Sequence, residues 1–272
     1  MGVTPPSGKY PIASTDSDEV RRLKLQHDAW RDAAEWLLDT IEVQPGWRCL
    51  DLGSGPEGLT NMLSERVGPS GHVTGLDFRE DFIALGRANA PDHVDFIQGD
   101  AYATGLPDAS FNLVHMRFLA STAGGGEVLA EEAERLLRPG GVLVMQEADG
   151  RSLSCHPPHE SFTALFEPFS TLFPQAFGDH LLAYELFRIL RGLNFEDVGF
   201  RPHVVGTHAQ HPWWDYLPAT AESVRATLVD LGAFSESGLT RTIAACRRHL
   251  SDPNTTSTSV TLVQTWSRKG GG

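Results

Sequence analysis

The stretch Arg48-Cys-Leu-Asp-Leu-Gly-Ser-Gly-Pro-Glu-Gly58 constrains the fold of this chain more than any other. Cys49, Leu50 and Leu52 make a short, nearly continuous apolar run, the pattern of a strand buried on both faces. Gly53 and Gly55 let the backbone turn sharply and put no Cβ in the path of a ligand. A helical pattern follows over 58–67, and the free N–H groups of its first turn point back at the loop. Val73-Thr-Gly-Leu-Asp77 then forms a second apolar run ending in a carboxylate, and Val94-Asp-Phe-Ile97 a third, followed by Gly99-Asp100-Ala101. Strands alternating with helices in this way build a parallel, doubly wound α/β sheet, which binds its ligand at the carboxyl ends of the strands.

The glycine spacing Gly53-x-Gly55-x-x-Gly58 also satisfies the dinucleotide fingerprint, so charge must separate the two readings. A dinucleotide places a pyrophosphate on the helix N-terminus. Here Glu57 lies inside the loop and Asp51 just before it, and both would repel that pyrophosphate. S-adenosylmethionine has no phosphate and carries a sulfonium and an α-ammonium, so an acidic loop suits it. Glu57 also reads as a first-turn carboxylate favoured by the helix dipole, which leaves Asp51 carrying more of the argument. Asp77 is placed to accept from both ribose hydroxyls, and Asp100 from the adenine amino group. Any one of these acids could cap the next helix. Three at the ends of three successive strands point to one ligand.

On these residues the chain resembles a class I S-adenosylmethionine-dependent methyltransferase of the kind that modifies quinones, sterols and secondary metabolites. The matching stretches are Asp51-Leu-Gly53-Ser54-Gly55, Asp77, Asp100, the fourth strand Phe111-Asn-Leu-Val-His-Met-Arg-Phe-Leu119 and Leu136-Leu-Arg-Pro-Gly-Gly-Val-Leu-Val144. The likeness covers roughly 20–147. It departs from the family at Glu57, where glycine is frequent, and at Asn112, where Asp is frequent. It implies a seven-stranded, mostly parallel Rossmann-like sheet whose last strand is antiparallel, with helical insertions forming a lid. It also implies S-adenosyl-L-methionine as cofactor, held by Asp51, Gly53, Ser54, Gly55, Asp77, Phe78, Asp100, Ala101, His115, Tyr10 and Gln26.

The remaining features set bounds. A length of 272 residues fits one α/β domain with insertions: an arm and helix over 1–45, a core over 46–150, and a continuation with lid insertions over 151–272. A net charge of −13 opposes nucleic-acid and anionic-membrane partners and leaves a small-molecule acceptor, with a homo-oligomer compatible. The start lacks the apolar core of a secretory signal, and Cys49, Cys155 and Cys246 are too few and scattered for a disulfide framework. The expectation is a cytoplasmic enzyme. Residues 1–15 read as an arm, and Val20, Leu23, His27, Trp30, Ala34, Leu37 and Ile41 recur as one helix stopped by Pro45-Gly46. Helices are expected near 58–67, 80–89, 126–137, 181–193, 220–231 and 237–249. Strands are expected near 48–52, 72–77, 94–98, 111–116, 141–147, 195–205 and 260–266, with a disordered tail over 267–272.

Methyl transfer from a sulfonium is a displacement at carbon that needs chiefly alignment, and a base only where the acceptor must lose a proton. His115 and Glu147, at the ends of the fourth and fifth strands, are the candidates to face the methyl. Tyr10, His27, Trp213 and Trp214 are candidates to contact the acceptor. Phe162, Phe166, Phe169 and Phe173 read either as acceptor wall or, more in keeping with their helical spacing, as core. Cys155-His156-Pro-Pro-His159-Glu160 and His208-Ala-Gln-His211 do not make a closed zinc spacing, so no metal is expected. Two alternatives to methyl transfer are a related protein that binds the cofactor but runs another reaction such as cyclisation, and a nicotinamide-dependent oxidoreductase.

Overall fold

The computed structural model describes residues 17–56, 58–171 and 182–271. Tyr10, Glu57 and Phe173 lie outside them. Seven strands form the main sheet: β1 (Arg48–Leu52), β2 (His72–Asp77), β3 (Val94–Gln98), β4 (Phe111–Arg117), β5 (Leu137–Asp149), β7 (Phe195–His203) and β10 (Thr261–Lys269). Their order is β3-β2-β1-β4-β5-β10-β7. The first five are parallel, and β10 runs antiparallel between β5 and β7. The mostly parallel, doubly wound sheet expected from the sequence is therefore present.

Both faces of the sheet are covered, which is why β1 and β4 are buried almost throughout. Side chains alternate between the faces. Leu50, Leu52, Val114, Met116, Leu143 and Met145 pack on one side with α6 (Gly126–Leu136) and α8 (Leu182–Gly192). Cys49, Leu113, Val142 and Val144 pack on the other with α2 (Arg31–Thr40) and α3 (Leu59–Val67).

The helix expected over 20–41 is two helices, α1 (Ser17–Ala29) and α2, broken at Trp30. Trp30 is fully buried and meets Trp213 edge-on at 5.0 Å. The apolar stripes on either side have different partners: α2 packs on the sheet through Ala34, Leu37, Leu38 and Ile41, while α1 leads to the cavity described below. The tail expected to be disordered over 267–272 is ordered as far as Lys269, which closes β10. Its Nζ donates to the carbonyls of Glu134 and Leu137 at 2.6 and 2.9 Å.

After β5 the chain builds a second layer. It contains α7 (Glu160–Thr171), α9 (Tyr216–Ser223), α10 (Arg225–Asp230) and α11 (Glu236–Leu250). A three-stranded sheet, β6 (Ser154–His156), β9 (Thr256–Thr258) and β8 (Gly206–His208), joins this layer together. The Ser235 side chain caps α11 by accepting from the Gly238 N–H at 3.2 Å, and Arg247, Arg248 and His249 suit its C-terminal dipole. Phe162 is buried in the layer's core, with Phe166 and Phe169 packed against it.

Candidate active site

A cavity of about 410 Å³ opens at the carboxyl ends of β1 to β5, within the range of small-molecule sites. Gly53, Ser54 and Gly55 form its floor, with Gly53 and Gly55 at φ of +70° and +63°. Only glycine takes that conformation without strain. A Cβ at Gly53 would press on Leu119 at 3.0 Å, while nothing lies within 4 Å of a Cβ at Gly55.

The three strand-end acids all line this cavity. Asp77 fixes the loop: its carboxylate accepts from the Gly55 N–H and the Arg79 N–H, each at 2.9 Å. Burial pushes the Asp77 carboxyl up, with those two N–H groups opposing. Asp100 accepts from the Tyr102 N–H at 2.9 Å, leaving it an oxygen for a ligand. Phe78, 65% exposed, and Ala101 complete this side.

Asp51 begins a buried chain of hydrogen bonds that crosses the sheet. Its carboxylate accepts from Thr60 Oγ1 and from His115 Nδ1, both at 2.7 Å. His115 Nε2 accepts from Gln146 Nε2 at 2.8 Å. Gln146 Oε1 accepts from Gln264 Nε2 at 2.9 Å, and that amide also donates to the Ala33 carbonyl at 2.9 Å. The strand register makes this chain possible. Asp51 pairs with His115, and Gln146 with Gln264, so all four side chains leave one face of the sheet. Burial holds the His115 ring low against the pull of Asp51, and it stays neutral. Burial would raise Asp51, but His115 and the Thr60 hydroxyl outweigh it and keep the carboxyl ionised.

Glu147 is next to Gln146 and therefore on the opposite face. It does not line the cavity with His115. Fully buried, it accepts from the Ala120 and Ser121 N–H groups at 2.8 and 3.2 Å, at the start of α5 (Leu119–Ala123). Burial pushes its carboxyl up to about 7. Leu119, Ser121, Thr122 and Ala123 of α5 do line the cavity, so Glu147 anchors its wall from behind.

Of the other residues expected at the site, Gln26 lines the cavity and donates to Tyr216 Oη at 3.3 Å. His27 is buried and accepts from Arg117 Nη2 at 3.4 Å. Burial, with Arg117 adding to it, lowers its ring to about 4. Trp213 and Trp214 are not on the cavity wall. Trp213 is wedged between Trp30 and Tyr216, and Trp214 packs in the core of the second layer. The aromatic face that does reach the cavity belongs to Phe169, Tyr216 and Phe118, with Leu153, Leu217, Val224 and Val260. The sequence also gave no reason to expect Arg22, whose position on α1 puts it on the wall. The polar residues Gln146 and Gln264, standing inside apolar strand runs, were the visible signal of the buried chain.

Residues 50–145 match the family model described as a methyltransferase domain. A demethylmenaquinone methyltransferase of Staphylococcus aureus is 31% identical over 203 residues, spanning 68% of this chain and 82% of that protein. This chain belongs to the class I S-adenosylmethionine-dependent methyltransferases. The fold agrees. The YcgJ protein of Bacillus subtilis superposes with a TM-score of 0.58 at 15% identity, covering 89% of this chain and all of that one. Phosphoethanolamine N-methyltransferase 2 of Haemonchus contortus, solved with S-adenosyl-L-methionine, gives 0.54 at 17% identity over 88% of this chain and 53% of its own.

The residues of this methyltransferase fit its cofactor. Gly53 and Gly55 leave the loop bare where side chains would stand, and Asp51, Asp77 and Asp100 supply acceptors on the same wall. The bound cofactor supplies an electrophilic methyl on a sulfonium. The enzyme acts on a small-molecule acceptor. Among the described residues no helix is long and apolar enough to cross a membrane.

Proposed function

We propose that this methyltransferase modifies a small, apolar, ring-bearing acceptor of the kind found in secondary metabolism, and that it does so mainly by alignment. The observation that carries this reading is the composition of the cavity's far wall. Phe169, Tyr216, Leu217, Val224 and Val260 turn apolar and aromatic surface toward it, across from the strand-end acids. Such a wall favours a flat apolar molecule and excludes water, which strengthens every electrostatic contact inside. The quinone named in the demethylmenaquinone methyltransferases is an acceptor of this class.

In this reading Asp77, Asp100, Phe78 and Ala101 hold the nucleoside end of the cofactor. Asp51, Ser54, the glycines and Gln26 hold its amino-acid end. His115 keeps Asp51 ionised and oriented rather than taking a proton from the acceptor, because both of its ring nitrogens are committed. Glu147 fixes the wall formed by α5. Methyl-labelled cofactor offered with matched sets of hydroxyaromatic, aliphatic amine and aliphatic acid acceptors tests the reading by mass spectrometry. Label in the aromatic set supports it. Label confined to aliphatic amines sinks it.

A further inference from the structure

The buried chain that starts at Asp51 ends on a main-chain carbonyl, and that end gives the whole chain a direction. The Ala33 carbonyl of α2 can only accept a hydrogen bond. Gln264, on β10, therefore turns its amide nitrogen toward it, and the same Nε2 donates to Gln146 Oε1, each at 2.9 Å. A rotated Gln264 amide would set its oxygen against both of those oxygens with no proton between them. The orientation holds although it leaves Gln264 Oε1 buried and without a hydrogen-bond partner among the described residues. With its Oε1 taken, Gln146 presents its own amide nitrogen to His115 Nε2 at 2.8 Å. That ring nitrogen is then the bare one, because a proton on it would meet the amide N–H head-on. The other, Nδ1, carries the proton and donates to Asp51 at 2.7 Å.

An ionised carboxylate beside an imidazole draws a second proton onto the ring, which would cancel the carboxylate's charge. The two amides oppose this. Solvent cannot reorient them, since His115 is 1% exposed and Gln146 and Gln264 are fully buried. We propose that Gln264 and Gln146 are positioning residues that keep this second proton off His115, so that Asp51 and His115 together present a net negative charge to the cofactor. Asp51 lies on the cavity wall, and its charge acts through its field on the ammonium end of S-adenosylmethionine. This role rests on the reading that Asp51 faces the cofactor's amino-acid end. It gives a part in cofactor binding to two side chains that do not line the cavity. The charged groups facing His115 are Asp51 on β1 and Arg117 at the end of its own strand, and Arg117 also disfavours a second positive charge there. Cys49 on β1, Asp77 on β2 and His27 on α1 lie in the field of Asp51 as well, and α3 contributes the Thr60 hydroxyl to it.

The test reads the ring by nitrogen NMR on the full chain with isotope-labelled histidine. The chain has 11 histidines, and the His115 signal is the one lost in His115→Gln. In the wild type Nδ1 should carry the proton and Nε2 should stay bare down to about pH 5. Gln264→Met removes both donations by that amide and frees Gln146 to turn its oxygen toward His115. The ring should then take its second proton with a midpoint between about pH 5 and about pH 7. Calorimetry with S-adenosylhomocysteine should show the affinity of Gln264→Met falling about threefold or more as pH drops through that midpoint, with the wild type flat over the same range. An Nε2 already protonated in the wild type at neutral pH overturns the proposal. So does a Gln264→Met ring that stays bare wherever the wild-type ring does, which would leave Gln264 a packing residue. If circular dichroism shows that Gln264→Met does not fold, Gln146→Glu decides. It sets an acceptor opposite Nε2 and should show the second proton at neutral pH, and a bare Nε2 there overturns the proposal. Methylthioadenosine, which lacks the amino-acid end, is the control ligand. If the Gln264→Met ring gains its proton while S-adenosylhomocysteine binding stays flat, or while both ligands weaken alike, control of the ring stands. The reading of Asp51 at the cofactor's amino-acid end then falls.

Discussion

Where the cavity meets β1, β2 and β3, its polar anchors are local: Asp51, Asp77 and Asp100 each lie at or within a few residues of a strand end, and two of them are tied to backbone N–H groups a short way along the chain. The opposite wall is assembled from α1, α7, α9 and Val260, the residue before β10, drawn from both ends of the sequence. The first wall is rigid because the sheet makes it so. The second depends on how distant helices pack, and it is the part free to differ between enzymes that share the cofactor.

The comparison breaks most visibly at Trp213. If this residue supports the far wall from behind, Trp213→Ala should cost about 3–5 kcal/mol of stability, as loss of a buried tryptophan usually does. Chemical denaturation measures this, and a variant of unchanged stability with a raised KM would show a direct acceptor contact instead. Glu147 tests the seam between the walls. Its folded carboxyl is raised above the ordinary glutamate value, to about 7, so the native state holds the proton longer than the unfolded chain. Its contribution is thus most favourable below the unfolded pKa and is lost as pH rises through about 7. Glu147→Gln should flatten the fall in stability between about pH 4.5 and 7, removing a slope that integrates to at most about 3 kcal/mol. Parallel stability curves for the two proteins would show that Glu147 is not the titrating group.

On the first wall, Asp77→Ala removes the acceptor for the Gly55 and Arg79 N–H groups as well as a ligand contact. Calorimetry with S-adenosylhomocysteine should show a loss of about 1.5–3 kcal/mol, and undiminished affinity would dismiss the assignment. Tyr216→Phe is the mildest change. It deletes the hydroxyl that accepts from Gln26 and should reduce stability by only about 0.5–1.5 kcal/mol, leaving cofactor affinity within about twofold. A large loss of cofactor affinity would mean that the two walls are coupled through α1.

The same contrast explains what could be read from the sequence. The strands of the sheet, their order of use and the three acids were legible because each rests on a local signal: an apolar run, a glycine at positive φ, a carboxylate at a strand end. The break at Trp30 was not, because the heptad-like spacing from Val20 to Ile41 continues through it and only tertiary packing on Trp213 decides it. The three-residue strands β6, β8 and β9 carry too little pattern to announce themselves, and they pair only across long stretches of chain. His115 and Glu147, read together as candidates to face the methyl, leave opposite faces of the sheet. Each was rightly placed near a strand end, but the register sets Gln146, not Glu147, on the face of His115.

The buried chain from Asp51 to Gln264 gives the folding of the site an order in time. During synthesis the glycine loop is complete long before β10 leaves the ribosome, yet the imidazole beside Asp51 is steadied by an amide that β10 in turn steadies. A nascent chain halted anywhere before Gln264 has its cofactor loop without the last of these supports, so the loop is made early and finished late.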